Sequence, residues 1–246
     1  MIELAVWVLG AAGFTAGLKY ALDEIKIRRA CRLLAVARLV YADERYRSEP
    51  LMLSEAAVVG QLDRHPTGIA FTAGGFRSLG DRRVTVGGYS AVVRFFISPC
   101  ENIVVYFSSD DPTSVNLESM TASSAFVTRR GRAGGFAKPP TQHYQWMQGS
   151  TGVQFVEQHE KWVANLRAMA ADVEPLLSLR TLEQLDELFA EQQRRIARWR
   201  NGLNDDELLD MDLRALLHDK YDGFAHRFRR HMLRKQPVAR VRPPRD

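Results

Sequence analysis

The amino-acid sequence predicts an α+β protein with an N-terminal transmembrane helix, a small and mainly antiparallel sheet, and a helical C-terminal region. Three observations lead to this prediction. Residues 4–18 carry no charged side chain. Residues 67–130 are rich in Val, Ile, Phe, Thr and Gly, which is typical of strands and tight turns. From residue 153 onward, apolar residues recur at spacings of three and four, which indicates helices.

The first element is the apolar run, which extends past Lys19 to Leu22. As a helix, residues 4–22 cover about 28 Å, while the hydrocarbon core of a bilayer is about 30 Å thick. The ammonium group of Lys19 reaches the headgroups if its stem lies along the helix. No Lys or Arg precedes the run, as a signal peptide would require. We therefore expect a transmembrane anchor at residues 1–22, with a buried core helix as the alternative.

Charge predicts the orientation of this anchor. Six Lys or Arg residues and two acidic residues lie between positions 19 and 38. Because Lys and Arg are retained on the cytoplasmic side, the N-terminus should lie outside and the main domain in the cytoplasm. The two cysteines, Cys31 and Cys100, are far apart and are expected to be buried thiols in a reducing compartment. The abundance of Arg and Ala favours a bacterial source, so the expected location is the inner (plasma) membrane, crossed once.

Residues 23–49 are predicted to form a juxtamembrane helix, because apolar residues recur at helical spacing until Pro50. A short helix capped by Ser54 is expected at residues 54–62. Residues 50–152 as a whole are predicted to form the α+β domain.

The sheet is predicted from strands and turns within that domain. Gly87-Gly88 supplies the positive φ angles of a two-residue hairpin turn, with Val86 and Tyr89 on either side. Residues 91–97 should then pair with residues 103–107. Further strands are expected at Ile69–Phe76 and Ser124–Thr128, and a loop at 129–152.

Residues 153–235 form the predicted helical region. A helix is expected at about Phe155–Ala171, and a second begins where Thr181 and Gln184 form a capping box. Along the second helix, apolar side chains follow a heptad spacing typical of coiled-coil-like association. The candidates for helix association are Leu185, Phe189, Ile196 and Trp199 in this helix, and Gly13 and Gly17, a GxxxG pair, in the anchor. A homodimer is one reading of these patterns.

No catalytic signature is present, so the catalytic residues are unknown, and no cofactor or metal site is predicted. His159-Glu160 resembles the start of HExxH, but position 163 is Val163. The best candidates for anion binding are Arg129, Arg130 and Arg132, because neighbouring glycines let backbone N–H groups approach a phosphate. A solvated loop is the alternative for these arginines.

Positive charge is concentrated in the last 21 residues, which hold eight basic side chains and one acidic one, although the whole chain has a net charge of only +5. Residues 236–246 contain three prolines and few apolar side chains, so they are predicted to be a disordered basic tail. The candidates for contact with anionic lipid or with nucleic acid are Arg227, Arg229, Arg230, Arg234 and Lys235.

Three hypotheses of function follow. The first is a membrane-tethered cytoplasmic interaction or adaptor protein of a bacterial inner-membrane assembly, whose protein partner is unknown. The second is a nucleic-acid or nucleotide-binding module that uses Arg129–Arg132 and the basic tail. The third is an enzyme whose site no sequence motif reveals. The failure of every catalytic motif favours the first hypothesis over the third.

Overall fold

The computed structural model describes residues 18–25, 27–28, 40–130, 136–147, 152–170 and 174–217. Most of the predicted anchor, with Gly13 and Gly17, lies outside the described residues, as do Cys31 and Arg132. The basic C-terminal candidates also lie outside them, namely Arg227, Arg229, Arg230, Arg234 and Lys235. Among the described residues, no helix is both long enough and apolar enough to cross a membrane.

A seven-stranded sheet forms the centre of the fold, and its strands follow one another in chain order. The strands are β1 (Tyr46–Glu49), β2 (Arg77–Val86), β3 (Tyr89–Ile97), β4 (Val104–Ser108), β5 (Asn116–Met120), β6 (Ala125–Arg130) and β7 (Gln142–Met147). Neighbours from β1 to β6 pair antiparallel, whereas β7 pairs parallel to β6. The predicted α+β class is therefore confirmed.

Helices cover both faces of this sheet. They are α1 (Ala56–Asp63), α2 (Pro66–Ala73), α3 (Val153–Met169), α4 (Leu182–Asn201) and α5 (Asp205–Leu217), with a 3-10 turn at Leu53–Glu55 before α1. Residues 18–25, 27–28 and 40–42 are also helical. The prediction of a helical region after residue 153 is confirmed for the residues described there.

The central hairpin has the predicted geometry. Val86 lies opposite Tyr89, and Gly87 and Gly88 have φ angles of 56° and 79°. Both turn residues thus occupy the left-handed region that a two-residue turn of this type requires. The next pairing is also confirmed, since residues 93–97 align antiparallel with residues 104–108.

Four local predictions are wrong. Ile69–Phe76 is not a strand, because Pro66 opens helix α2 and His65 Nδ1 accepts a hydrogen bond from Thr67 N–H. The juxtamembrane helix does not reach residue 49, since Tyr46–Glu49 is a strand paired with β2. Ser54 does not cap α1, because it lies within the 3-10 turn that precedes this helix.

The fourth error is the predicted loop at 129–152. Strand β6 continues to Arg130, and Gln142–Met147 forms β7, which hydrogen-bonds along β6. Strand β5 was also not anticipated. Cys100 was expected to be buried, but it is exposed in the turn after β3, where its thiol lies 2.9 Å from Asn102 Oδ1.

The alternation of side chains along the strands divides the core into two clusters. The first cluster lies under α1, α2 and α3 and includes Phe96, Val105, Phe107, Leu117 and Phe155. The second lies under α4 and includes Phe95, Ile97, Val104, Met120 and Leu185. Strands β3, β4 and β5 alternate between the two clusters, as expected for strands buried on both faces.

Helix α4 places its apolar side chains on the sheet. Leu185 is fully buried, Ile196 is 6% exposed, and Phe189 packs against the second cluster. Trp199 is partly buried. Among the residues described, Leu185 and Phe189 of α4 therefore contact the sheet, and the association of α4 with a further helix stays a prediction.

Candidate functional site

A cavity of about 270 Å³ lies between the second face of the sheet, helix α4 and the segment that precedes β1. Its lining is unusually rich in polar and aromatic side chains for a site between a sheet and a helix. The polar and aromatic residues of the lining include Tyr41, Tyr46, Tyr106, Glu118, Arg129, Lys138, Tyr144 and Gln192. Small-molecule sites are typically concave, with a few polar groups set among aromatic and apolar walls.

The register of the strands brings together the cavity-lining residues that lie on the sheet. Residues directly opposite one another on adjacent strands lie about 5 Å apart and project from the same face. One row across the sheet contains Tyr106, Asn116 and Arg129, and the next contains Glu118, Val127 and Tyr144. Four strands, β4 to β7, thus contribute to one wall of the cavity.

Glu118 is the most deeply buried acidic residue in this wall, with 1% of its surface exposed. Tyr106 donates its hydroxyl hydrogen to Oε2 at 3.0 Å, and Gln192 of α4 donates an amide hydrogen to Oε1 at 2.6 Å. Burial raises the pKa of this carboxyl, although both hydrogen bonds act in the opposite direction. The carboxyl is therefore fixed between the sheet and α4.

Lys138 enters the cavity from the segment between β6 and β7. Its ammonium nitrogen lies 3.2 Å from the ring centroid of Tyr144 and 5.6 Å from that of Tyr41. Both contacts have the form of cation–π interactions. Burial lowers the pKa of Lys138 to about 7, and the charge of Glu118 opposes this effect. At neutral pH the amine therefore exchanges readily between its charged and neutral forms.

A buried ion pair holds the backbone next to Lys138. Arg200 and Asp212 form a bidentate pair, with nitrogen–oxygen distances of 2.9 and 2.6 Å, and both are almost fully buried. Asp212 also accepts a hydrogen bond from Ala137 N–H at 2.9 Å, and Arg200 donates one to Ala137 O at 2.7 Å. Helices α4 and α5 thereby position the residue adjacent to Lys138.

Two of the three predicted anion-binding arginines, Arg129 and Arg130, lie within the described residues and contact different groups, whereas Arg132 lies outside them. Arg129 lines the cavity, donates from Nε to Ser114 Oγ at 3.1 Å, and places its guanidinium 5.2 Å from the Trp146 ring. Arg130 follows it on β6 and contacts Thr67 Oγ1 at 3.3 Å, beside helix α2. Consecutive strand residues point to opposite faces, so Arg129 and Arg130 cannot bind one anion together.

Tyr41, in the segment before β1, and Tyr46, the first residue of β1, close part of the cavity. Side chains of α4 hold this segment, since Gln193 donates to the carbonyl oxygens of Val40 and Asp43 at 2.9 and 2.7 Å. Asn201 donates to Ala42 O at 3.3 Å. Residues 40–46 thus contribute to the cavity wall through Tyr41 and Tyr46.

On the opposite face of the sheet, His159 of α3 forms a separate buried polar chain. Its Nδ1 lies 2.7 Å from Thr128 Oγ1 and its Nε2 lies 3.0 Å from Ser119 Oγ. Gln145 donates to the same Thr128 oxygen at 2.8 Å. Burial lowers the pKa of His159 to about 4, so the ring is neutral at pH 7 and both ring nitrogens have a partner.

Sequence reasoning missed the central residues of the cavity, Glu118 and Lys138. One local signal existed, because Glu118 lies in Leu117-Glu118-Ser119-Met120, where a carboxylate is unusual among strand-forming residues. Lys138 precedes Pro139-Pro140 and has no comparable signal. Within the parts of the chain that the structure describes, no group of three His, Cys, Asp or Glu residues could hold a metal ion.

Comparison with known proteins gives no relative from which a function could be transferred. No protein-family model, no curated protein and no solved structure matches this chain. The candidate site therefore rests on its own geometry.

Proposed function

We propose that this protein is a membrane-tethered binding protein whose α+β domain takes up a small ligand in the cavity between the sheet and α4. One observation carries the proposal: a buried carboxyl, two cationic side chains and four tyrosines converge on one cavity of about 270 Å³. Titratable groups with shifted pKa values, gathered in a cleft, are typical of functional sites.

The membrane tether is a proposal drawn from the apolar run at residues 4–22. The structure at the end of this run supports the tether. Residues 18–25 are helical, and the side chains of Leu18, Tyr20, Leu22 and Ile25 are about half exposed or more. Exposed apolar side chains of this kind are suited to contact with lipid. By the charge argument, the domain would lie on the cytoplasmic side of the inner membrane.

A protein partner fits the same proposal. Tyr41 and Tyr46 line the cavity and follow the predicted anchor and juxtamembrane helix in sequence. A ligand that moves these side chains would therefore act on the part of the domain next to the tether. A homodimer through Gly13 and Gly17 would place two such domains side by side. Because Arg129 and Arg130 lie next to each other on a strand and so face opposite sides of the sheet, they do not by themselves support the nucleic-acid alternative.

The ligand-binding proposal is tested with the full chain in detergent micelles. A mixed set of anionic, cationic and neutral small molecules is screened by ligand-observed NMR, and each hit is repeated with Val127→Phe. Val127 lines the cavity, so a larger side chain there should displace the ligand. Val59→Phe, on the half-buried surface of α1, is the control and should leave binding unchanged.

Loss of every hit in Val127→Phe, with wild-type circular dichroism, supports the proposal. Val93→Phe, at another lining position, provides a second variant in case Val127→Phe is unfolded. Hits that persist in both cavity variants would lie elsewhere and would contradict the proposal. The tether is tested separately, because an anchored chain resists alkaline extraction from membranes, and a reporter fused after Asp246 should be active in the cytoplasm.

A second candidate function, catalysis, is favoured by the opposite pKa shifts of Glu118 and Lys138. Burial raises the pKa of the first and lowers that of the second to about 7, which suits proton transfer near neutral pH. If the cavity is catalytic, Glu118→Gln should still bind the ligand but should no longer convert it. NMR detection of a product from the wild-type protein, absent with this variant, would decide for catalysis.

A further inference from the structure

The cavity contains two cationic side chains and one carboxylate that already has partners. Both oxygens of Glu118 accept hydrogen bonds from neutral donors, Tyr106 and Gln192. Another acidic residue beside the cavity, Asp186, accepts a hydrogen bond from Tyr46 and is paired with Arg82 at 3.6 Å. The carboxylates around the cavity are therefore engaged before any ligand binds.

The two cationic side chains of the cavity differ from the carboxylates in the contacts they make. Within the described ranges, neither Arg129 nor Lys138 forms an ion pair; Arg129 donates to a serine hydroxyl, and Lys138 lies over aromatic rings. The charge of Arg129 also lowers the pKa of Lys138, so the two groups are close enough to repel one another. The charge of Glu118 acts on Lys138 in the opposite sense, but its two oxygens are bonded to Tyr106 and Gln192. Buried cations whose charge is only partly compensated are destabilising. An anion between these two groups would relieve this repulsion.

Aromatic rings define the remaining shape of the cavity. Tyr144 lies below the Lys138 ammonium, and the Tyr106 ring contacts Phe189 of α4 edge to face, with 5.3 Å between centroids. Phe95 lies 5.9 Å from Tyr106. Tyr106, Phe189 and Phe95 pack on one another and form an aromatic wall of the cavity, and such a wall favours a planar group that stacks on a ring or meets its edge.

Volume limits the size of the ligand. The cavity of about 270 Å³ lies slightly below the usual range for small-molecule sites, which begins at about 300 Å³. This space accommodates one ring with a short acidic substituent. It excludes a dinucleotide, a peptide segment or a nucleic-acid strand.

We propose that the cavity binds a small organic acid, namely one planar ring that bears a single anionic group. Arg129 and Lys138 hold the anionic group, and the rings of Tyr106 and Tyr144 flank the planar part. The inference rests on the proposed function, since it names the ligand class of the same cavity.

The test compares probes that share a ring and differ in charge. Benzoate, benzyl alcohol and benzylamine are titrated against the full chain in detergent micelles, with acetate as an acid that lacks the ring. Since a charge-assisted hydrogen bond is worth about one order of magnitude in affinity, benzoate should bind about tenfold or more tightly than benzyl alcohol. Benzylamine and acetate should bind more weakly than benzoate.

Variants assign the effect to the two cations. Arg129→Met and Lys138→Met should each weaken benzoate binding about tenfold and change benzyl alcohol binding little. Arg129→Lys, which keeps the charge, should retain most of the affinity. The controls Arg47→Met and Lys161→Met, both at exposed positions, should bind benzoate as the wild type does.

Each other outcome overturns the inference. Tightest binding of benzylamine or benzyl alcohol would refute the anionic class while leaving a small-ligand cavity in place. Equal binding of acetate and benzoate would refute the planar ring. Benzoate binding that is unchanged in both cation variants would place the acid outside the cavity. If none of the four probes binds while the mixed screen yields cavity hits, only the ligand class fails; if the screen also yields none, the proposed function fails with it.

Discussion

Replacing His159 by Gln should remove a pH-dependent part of the stability of this protein. His159 is fully buried between Thr128 and Ser119, and burial lowers its pKa from 6.5 to about 4. At pH 5 the ring is therefore neutral in the folded chain and mostly protonated in the unfolded chain. The stabilisation is complete above pH 6.5 and is lost as the pH falls from 6.5 towards 4.

The magnitude follows from the two pKa values. A difference of about 2.5 pKa units corresponds to about 3 kcal/mol at the acid limit, of which about 2 kcal/mol is lost between pH 7 and pH 5. The free energy of unfolding of the wild type should thus fall by about 2 kcal/mol more over this interval than that of His159→Gln. The readout is this slope, because the variant is also expected to be less stable at pH 7.

Urea unfolding in detergent micelles, followed by tryptophan fluorescence at pH 7 and pH 5, gives both free energies. Asn165→Gln, an exposed change on the same helix, is the control and should show the wild-type pH dependence. If the wild type and His159→Gln lose the same free energy between the two pH values, His159 does not titrate as a buried neutral ring. The burial argument would then be refuted.

Three further predictions concern the framework, and each is measured by urea unfolding. Asp212→Ala leaves the buried Arg200 without its counter-charge and should cost about 3–5 kcal/mol, whereas Asp210→Ala, on the exposed side of α5, should cost less than about 1 kcal/mol. Equal losses in the two variants would contradict the special role of the buried pair. Ile196→Asp should cost more than about 3 kcal/mol, because it buries a charge on the packed face of α4, while Ile196→Val should cost about 1 kcal/mol. If Ile196→Asp unfolds at the same urea concentration as the wild type, this face of α4 is not packed. Gly88→Val should cost about 1–2 kcal/mol through backbone strain alone, since φ is 79° and the space around a new Cβ is open, and an unchanged stability would refute the strain argument.

Local signals were reliable where one residue type determines the backbone. Gly87-Gly88 requires positive φ angles, so it specified the hairpin and with it the register of β2 and β3. Thr181 accepts a hydrogen bond from Gln184 N–H at the start of α4, as its capping signature predicted. These features depend on atoms within a few residues of one another, and such atoms are visible in the sequence.

Sequence patterns did not predict the secondary structure correctly where contacts with residues distant in the sequence contribute to it. The apolar residues after Pro66 suit a strand or a helix equally. Pro66 and the His65 cap begin the helix, and Phe71 then packs against Phe76 and against Phe96 of β3. Strand β7 forms only because β6 offers a free edge to which it can pair in parallel. Sequence periodicity does not report such an edge, so the segment was predicted to be a loop.

By itself, the sequence determined the α+β class, the central hairpin, the capped start of α4 and a long apolar run at its beginning. Only the tertiary structure decided that Glu118 and Lys138 share a cavity. Their proximity depends on the register of β5 with its neighbours and on the Arg200–Asp212 pair that holds Ala137. These contacts join residues up to 75 positions apart, and no local preference of the chain encodes a contact at that distance.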